Sequence, residues 1–168
     1  MEDDNWSEAF LSMQENELEQ HYGHRWTLHI KNNLVDLTSN NKQNGWKDYI
    51  TTSFGRFVCS QCHHFWMSAR VSLLFHFCSK SEGGKVNLRV YRQKCRNCTS
   101  EEMITATFKR DKINEVLMRL ITRIKKKCYN ERIELGPHFH HLEITKPHEV
   151  KFCEACILGK CSRTADAS

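Results

Sequence analysis

From Trp66 to Phe77 the chain alternates, with Met67, Ala69, Val71, Leu73, Phe75 and Phe77 on one face and Ser68, Arg70, Ser72 and His76 on the other. A period of two is that of a half-buried β-strand. Val86, Leu88 and Val90 alternate with Asn87, Arg89 and Tyr91 and give a returning strand, with Gly83-Gly84 as turn chemistry between the two. Trp26, Leu28 and Ile30 alternate with Thr27 and His29 and predict a shorter strand. Asn32, Asn33, Ser39, Asn40, Asn41 and Asn44-Gly45 mark loops, after which Trp46, Tyr49 and Ile50 begin the next packed segment. The period then changes. Ile113, Val116, Leu117, Leu120, Ile121, Ile124 and Cys128 repeat at helical spacing behind Asp111, which can cap, and Lys125-Lys126-Lys127 suit the negative end of the helix dipole. Near the N-terminus Asn5 followed by Glu8 reads as a helix start, with Trp6, Phe10, Met13 and Glu17 on one face and Leu11 and Leu18 beside it.

The cysteines decide what these elements are for. Cys59/Cys62 and Cys95/Cys98 are C-x2-C pairs, and His148, Cys153, Cys156 and Cys161 follow as H-x4-C-x2-C-x4-C. Two residues between cysteines let both sulfurs of a tight turn reach one tetrahedral ion, the geometry of structural zinc. Eight ligands make two closed sites with no open position for water or substrate, so the metals hold shape. A redox C-x2-C opens a helix after a strand and occurs singly. If Phe77 lies opposite Lys85, antiparallel pairing puts Cys62 near Ser100 and Trp66 near Arg96, so both pairs meet at the open end of the hairpin and share one ion. For the second ion, His138, His140 and His141, in the loop bracketed by Gly136-Pro137 and Pro147, are rivals to His148.

The expected fold is therefore α+β: a zinc-ribbon-like antiparallel β-sheet packed against an amphipathic helix, with an N-terminal helix and a C-terminal zinc knuckle. Its divisions are residues 1–22 for the N-terminal helix, 23–163 for the zinc-binding domain and 164–168 for a disordered tail. Cys78 after the core strand and Cys128 on the apolar helix stripe are expected to be inert thiols, and His76 a solvated side chain. An enzyme needs an open metal position or a nucleophile with a base. His63-His64 beside Cys62 is the nearest imitation and reads as part of the first knuckle.

With 168 residues, 39% of them hydrophobic, the chain buries only a modest core. Structural zinc contributes on the order of 10–16 kcal/mol of apparent free energy, comparable to the ~5–15 kcal/mol net stability of a domain. Metal removal should unfold it. Met1 to Gln20 is acidic and polar where a secretory signal needs a basic start and an apolar run, which places the thiols in reducing cytosol. The longest apolar stretch, Val71 to Phe77, is far shorter than the ~20 residues of a spanning helix.

The formal charge of +5 drops to about +2 once ligand thiolates and two zinc ions are included. What survives is asymmetry. Residues 1–20 hold seven acids and no base, whereas residues 85–132 hold fourteen bases against five acids. Arg119, Arg123, Lys126 and Lys127 lie at helical spacing and could track an RNA backbone, with Tyr91 and Tyr129 as nearby stacking candidates. The same row is also the ordinary wet face of an amphipathic helix.

Several stretches together carry a family resemblance. They are Trp26-Thr27-Leu28, Gly45-Trp46, Phe57-Val58-Cys59-Ser60-Gln61-Cys62, Trp66 to Val71 running on to Leu74-Phe75-His76, Arg92 to Cys98, Ile124 to Tyr129, and Cys153 to Cys161. The chain resembles the 3CxxC-type zinc-finger domain, and within it the receptor-transporting protein family, over most of its length. The resemblance implies a cytoplasmic-facing accessory factor that binds odorant, taste or other G-protein-coupled receptors and promotes their delivery to the cell surface. It also implies an alternative, since one member type is interferon-induced and antiviral through RNA binding. Members usually continue into a C-terminal hydrophobic anchor, whereas this chain stops at Ser168. Association with the cytosolic face of the ER or plasma membrane is then expected through partners or through an anchor on a longer form.

Overall fold

The computed structural model describes residues 2–131 and 153–158, the side chains of 2–4, 156 and 157 excepted. Helix α1 spans Glu2–Gln14, continues through a π-helical stretch, Glu15–Glu19, and closes with α2, Gln20–Tyr22. Gly23, at φ 71°, ends it in the left-handed conformation that glycine tolerates best. Strand β1, Trp26–Ile30, follows, then a short helix α3, Ser39–Gln43, and the long strands β2, Lys47–Val58, β3, Phe65–Lys80, and β4, Gly83–Val90. A small ribbon of β5, Gln93–Lys94, and β6, Met103–Ile104, leads to helix α4, Arg110–Cys128, and the last described element is α5, Glu154–Ile157.

The main sheet has the order β1-β4-β3-β2. Strands β2, β3 and β4 pair antiparallel, and β1 adds parallel to β4 with Trp26 opposite Gly84. This is the expected α+β arrangement with one addition: a parallel strand from the far side of the N-terminal helix. Helices α1 and α4 cover one face. Trp6, Phe10 and Leu18 from the N-terminal helix, Val71, Leu73, Phe75 and Phe77 from β3, and Ile113, Val116, Leu117, Leu120, Ile121 and Ile124 from α4 join in one buried cluster. The helical stripe read from the sequence is thus the buried face of α4. Its end is fixed by Lys125, whose ammonium pairs with Glu17 at 2.8 Å.

Both helices begin earlier than their capping residues suggest. Helix α4 starts at Arg110 with Lys109 as the cap, leaving Asp111 in the first turn, where its charge favours the positive end of the dipole. Helix α1 starts at Glu2 and runs through Asn5. The asparagine-rich stretch is not wholly loop, because Thr38 accepts the Asn41 backbone N–H and caps α3.

The β3–β4 hairpin forms one residue out of the expected register, with Phe77 opposite Val86 rather than Lys85. The turn is Ser81-Glu82, and the two glycines lie inside β4 instead. Their role is close approach. A Cβ on Gly84 would sit 2.0 Å from the Trp26 ring, and one on Gly83 would sit 2.4 Å from the Arg25 carbonyl oxygen. Glycine at both positions lets β1 and the indole lie directly on β4.

The alternation of β3 also breaks. Ser53 pairs with Val71 but Gly55 pairs with Ser68, so β3 carries one extra residue in between. A bulge of this kind turns the side chains beyond it over to the opposite face. Trp66 therefore packs inward, stacked on Phe57 with ring centroids 5.1 Å apart, and Met67 points out to solvent. The second face of β3 is covered as well. Leu74 packs with Tyr91, Leu34, Cys153 and Ala155, and Ser72 and His76 are buried with it. His76 is thus a core residue and not a solvated one; its Nε2 has no hydrogen-bond partner among the described residues. Cys78 is buried against the Asn44 carbonyl, and burial raises the thiol of half-buried Cys128 above its usual range, as suits inert thiols.

Two outcomes follow. Gly84→Ala should cost at least about 1–3 kcal/mol by overpacking against Trp26, whereas Gly23→Ala, which meets nothing within 4 Å, should cost only about 1 kcal/mol for its positive φ; urea midpoints measure both. Burial depresses the pKa of His76, with Asp48 and Asp36 pulling partly back. The unfolded chain then takes up that proton first, so stability should fall as pH drops below about 6.5. Comparing urea midpoints at pH 7.5 and 5.5, His76→Gln should lose part of that acid sensitivity, and an unchanged difference would contradict this role.

Candidate metal centre

Two tight turns face each other at one end of the sheet. The first connects β2 to β3 and holds Cys59 and Cys62; the second follows β5 and holds Cys95 and Cys98. In the first, the Cys59 N–H donates to the His64 carbonyl at 2.9 Å and the His63 N–H to the Cys59 carbonyl at 3.0 Å. His63 takes φ 62° to make this reversal. The backbone N–H of Gln61 points at the Cys59 sulfur, 3.4 Å away, and that of Asn97 at the Cys95 sulfur, 3.3 Å away. Both turns therefore use the same device, an amide two residues on that stabilises negative charge on the first sulfur.

The four sulfurs lie within 4.8 Å of one another. The Cys59 and Cys98 sulfurs are 3.7 Å apart, and those of Cys62 and Cys95 3.6 Å. A disulfide would need about 2.05 Å. Sulfurs at about 2.3 Å from a tetrahedral ion stand roughly 3.8 Å from one another, so the observed spacing fits a shared zinc ion. Sequence reasoning reached this quartet although its register was one residue off. The reason is that the turns are positioned by the β2–β3 connection and by β5–β6, not by extending the β3–β4 ladder.

Packing behind the sulfurs fixes both turns. Trp66 donates its indole N–H to the Gln93 side-chain oxygen at 3.0 Å, and the Gln93 amide donates to Ser68 Oγ at 3.1 Å, linking β3 to β5 across the site. His64 stacks on the outer side of Trp66 at 6.0 Å. Ser60 donates to Glu102 at 2.6 Å, and Lys94 pairs with Glu101 at 2.8 Å. The Cys62 thiol, held by the His64 backbone N–H and then by the Asn97 side chain, is lowered to about 6. The Ser100 backbone N–H pulls Cys98 down, but burial and the three neighbouring sulfurs outweigh it and push that thiol up to about 12. Burial likewise raises Cys95. Without a cation, four sulfurs this close cannot all carry charge.

The third pair is partly placed. Cys153 is buried and bridges to Gln93, two residues before Cys95. Glu154 clamps this segment: its carboxylate accepts the Arg92 backbone N–H at 3.1 Å and the Arg92 guanidinium at 2.9 and 3.1 Å, with Arg89 3.5 Å away. This carboxylate anchor was not read from the sequence, because a lone Glu between two cysteines carries no signal of its partner. His148 and Cys161 lie outside the described residues, as do His138, His140, His141 and the 164–168 tail; the side chain of Cys156 does too.

The basic helix row is spent in part on the fold. Arg119 donates to the Thr52 carbonyl at 2.8 Å and to Thr51 Oγ1 at 3.2 Å, and the Arg123 guanidinium lies over Tyr49 at 5.0 Å. Lys126 and Lys127 are exposed. Tyr129 stacks face to face on Tyr22 at 3.7 Å and accepts the Trp26 indole N–H, while Tyr91 is buried beneath Arg89. Neither ring is offered to a base.

Residues 52–159 match the model of the zinc-ribbon 3CxxC family, a zinc-binding domain, and this span encloses all three C-x2-C pairs. Among curated proteins, receptor-transporting protein 3 of Mus musculus is 36% identical over 145 residues, covering 83% of this chain and 30% of that protein. Receptor-transporting protein 4 of Mus musculus is 31% identical over 170 residues, 95% of this chain and 64% of its own length. Receptor-transporting protein 1 of Homo sapiens is 32% identical over 160 residues, 93% of this chain and 59% of its own. The chain thus spans between about a third and two thirds of the length of these relatives. No solved structure matches it.

Because Cys95 and Cys98 stay protonated at neutral pH without a cation, metal uptake there should release about two protons or more per ion. Titration calorimetry in buffers of different ionisation enthalpy measures this, and heats independent of buffer would contradict it. Below pH 6 Cys62 joins them, so metal affinity should fall more steeply.

Proposed function

The chain belongs to the 3CxxC zinc-binding family alongside the receptor-transporting proteins, and we propose that it is a non-enzymatic, zinc-stabilised accessory protein that binds G-protein-coupled receptors of the odorant or taste type and promotes their delivery to the cell surface. The observation that carries this reading is the closed quartet of Cys59, Cys62, Cys95 and Cys98, whose spacing fits an ion and leaves no coordination position for substrate. One structural zinc is held there. A second is held by Cys153, Cys156, Cys161 and His148; of these, Cys153 bridges to Gln93 beside the Glu154–Arg92 pair. Zinc supplies folding free energy and no reaction step.

Such a centre makes a rigid scaffold from segments distant in sequence, and a rigid surface lowers the entropic cost of holding a partner. The protein works at the cytosolic face of the ER and plasma membrane. No helix among the described residues is long and apolar enough to cross a membrane. The alternative of RNA binding through Arg119, Arg123, Lys126 and Lys127 gains no support from the contacts, since two of the four side chains and both neighbouring tyrosines are engaged within the fold.

Co-expression with an odorant-type receptor should give co-precipitation and raised surface staining, and Cys95→Ser should abolish both. Equal surface receptor with wild type and with this variant would contradict the proposal.

A further inference from the structure

The outer face of the β2–β3 hairpin, next to the first cysteine turn, is apolar, and no described element covers it. Val58 pairs with Phe65 and Arg56 with Met67. The three apolar residues are 47%, 58% and 54% exposed. They are exposed for a structural reason: the bulge between the Ser53 and Gly55 pairings puts Trp66 into the core and so sends Phe65 and Met67 outward. Phe57 and Trp66 stack behind them, so the face is backed by packed aromatic rings and cannot collapse inward.

Along the hairpin from Tyr49 to Ser81 the charge has one sign. Between Asp48 and Glu82 the chain contains Arg56, Arg70 and Lys80 and no acidic residue. The Arg56 guanidinium lies 5.1 Å over the Phe65 ring, which keeps a cation at the edge of the apolar surface. Beside the cysteine turn, Glu102 accepts the Ser60 hydroxyl and Glu101 pairs with Lys94. Exposed aromatic and aliphatic side chains beside an arginine with no carboxylate partner among the described residues is the arrangement that suits a membrane interface, where apolar groups enter the headgroup region and basic groups meet lipid phosphate and carboxylate.

We propose that the Val58–Phe65–Met67 face is a membrane-docking surface that inserts into anionic lipid, with Arg56 and Arg70 at the headgroups. Docking there would set the orientation of the whole scaffold on the bilayer, independently of whether it binds a receptor.

The test uses the full zinc-loaded chain and co-sedimentation with vesicles of phosphatidylcholine alone or of phosphatidylcholine with phosphatidylserine. Binding to the serine-containing vesicles, weakening as salt rises, is expected. Phe65→Ser with Met67→Ser should reduce it roughly tenfold or more, given the apolar area removed, and Arg56→Gln with Arg70→Gln should reduce the salt-sensitive part. Zinc content and far-ultraviolet circular dichroism should match the wild type, since both apolar side chains are more than half exposed. Failure to bind either vesicle, or binding that survives the serine pair, overturns the proposal. So does a serine pair that binds vesicles normally yet loses co-precipitation with receptor in detergent, which would make this a protein contact. Vesicle binding without receptor binding would leave this inference standing while the receptor reading fell.

Discussion

Four sulfurs gathered within 4.8 Å of one another are the constraint on which the rest of the molecule depends. Thiolates at that spacing repel, and thiols at that spacing gain little; a divalent cation among them converts the same geometry into the strongest local interaction in the chain. The titration behaviour follows from this. The Cys62 sulfur is held low by amide donors while those of Cys95 and Cys98 are pushed up. The turns that carry the cysteines are joined behind the sulfurs by Trp66, Gln93 and Ser68, so the metal fixes the ends of β3 and β5 relative to each other. From β5 the order passes on to the C-terminal segment through the Gln93–Cys153 bridge and the Glu154–Arg92 clamp.

The core divides along the two faces of β3. One face meets α1 and α4 in a large apolar cluster, and the other meets Leu34, Tyr91 and the segment around Ala155. A strand buried on both sides in this way explains why Ser72 and His76 are enclosed. The metal-proximal end of the hairpin, beyond the bulge, still faces outward at Val58, Phe65 and Met67.

What the sequence made legible was whatever depends on short-range periodicity or on ligand spacing. The stripe from Ile113 to Ile124, the strand at Trp26, the two long hairpin strands and the partnership of Cys59, Cys62, Cys95 and Cys98 are of that kind. What it concealed depends on contacts between distant segments. Nothing local marks the extra residue in β3 that inverts Trp66 and Met67. Gly83 and Gly84 look like a turn because turns are the commonest use of paired glycines, whereas here the Trp26 ring and the Arg25 carbonyl occupy the space of their missing Cβ atoms. His76 falls on the polar side of an alternating strand, and only the packing of a second layer makes it a core residue. Arg119 and Arg123 read as a free basic row because their partners, Thr52 and Tyr49, come from β2.

Cys59, Cys62, Cys95 and Cys98 are positioned to hold one zinc ion in common. Elemental analysis of the purified wild-type chain and of Cys95→Ser, prepared identically, tests it most directly. The variant is expected to carry one zinc equivalent fewer than the wild type; the same zinc content in both proteins would contradict a shared site.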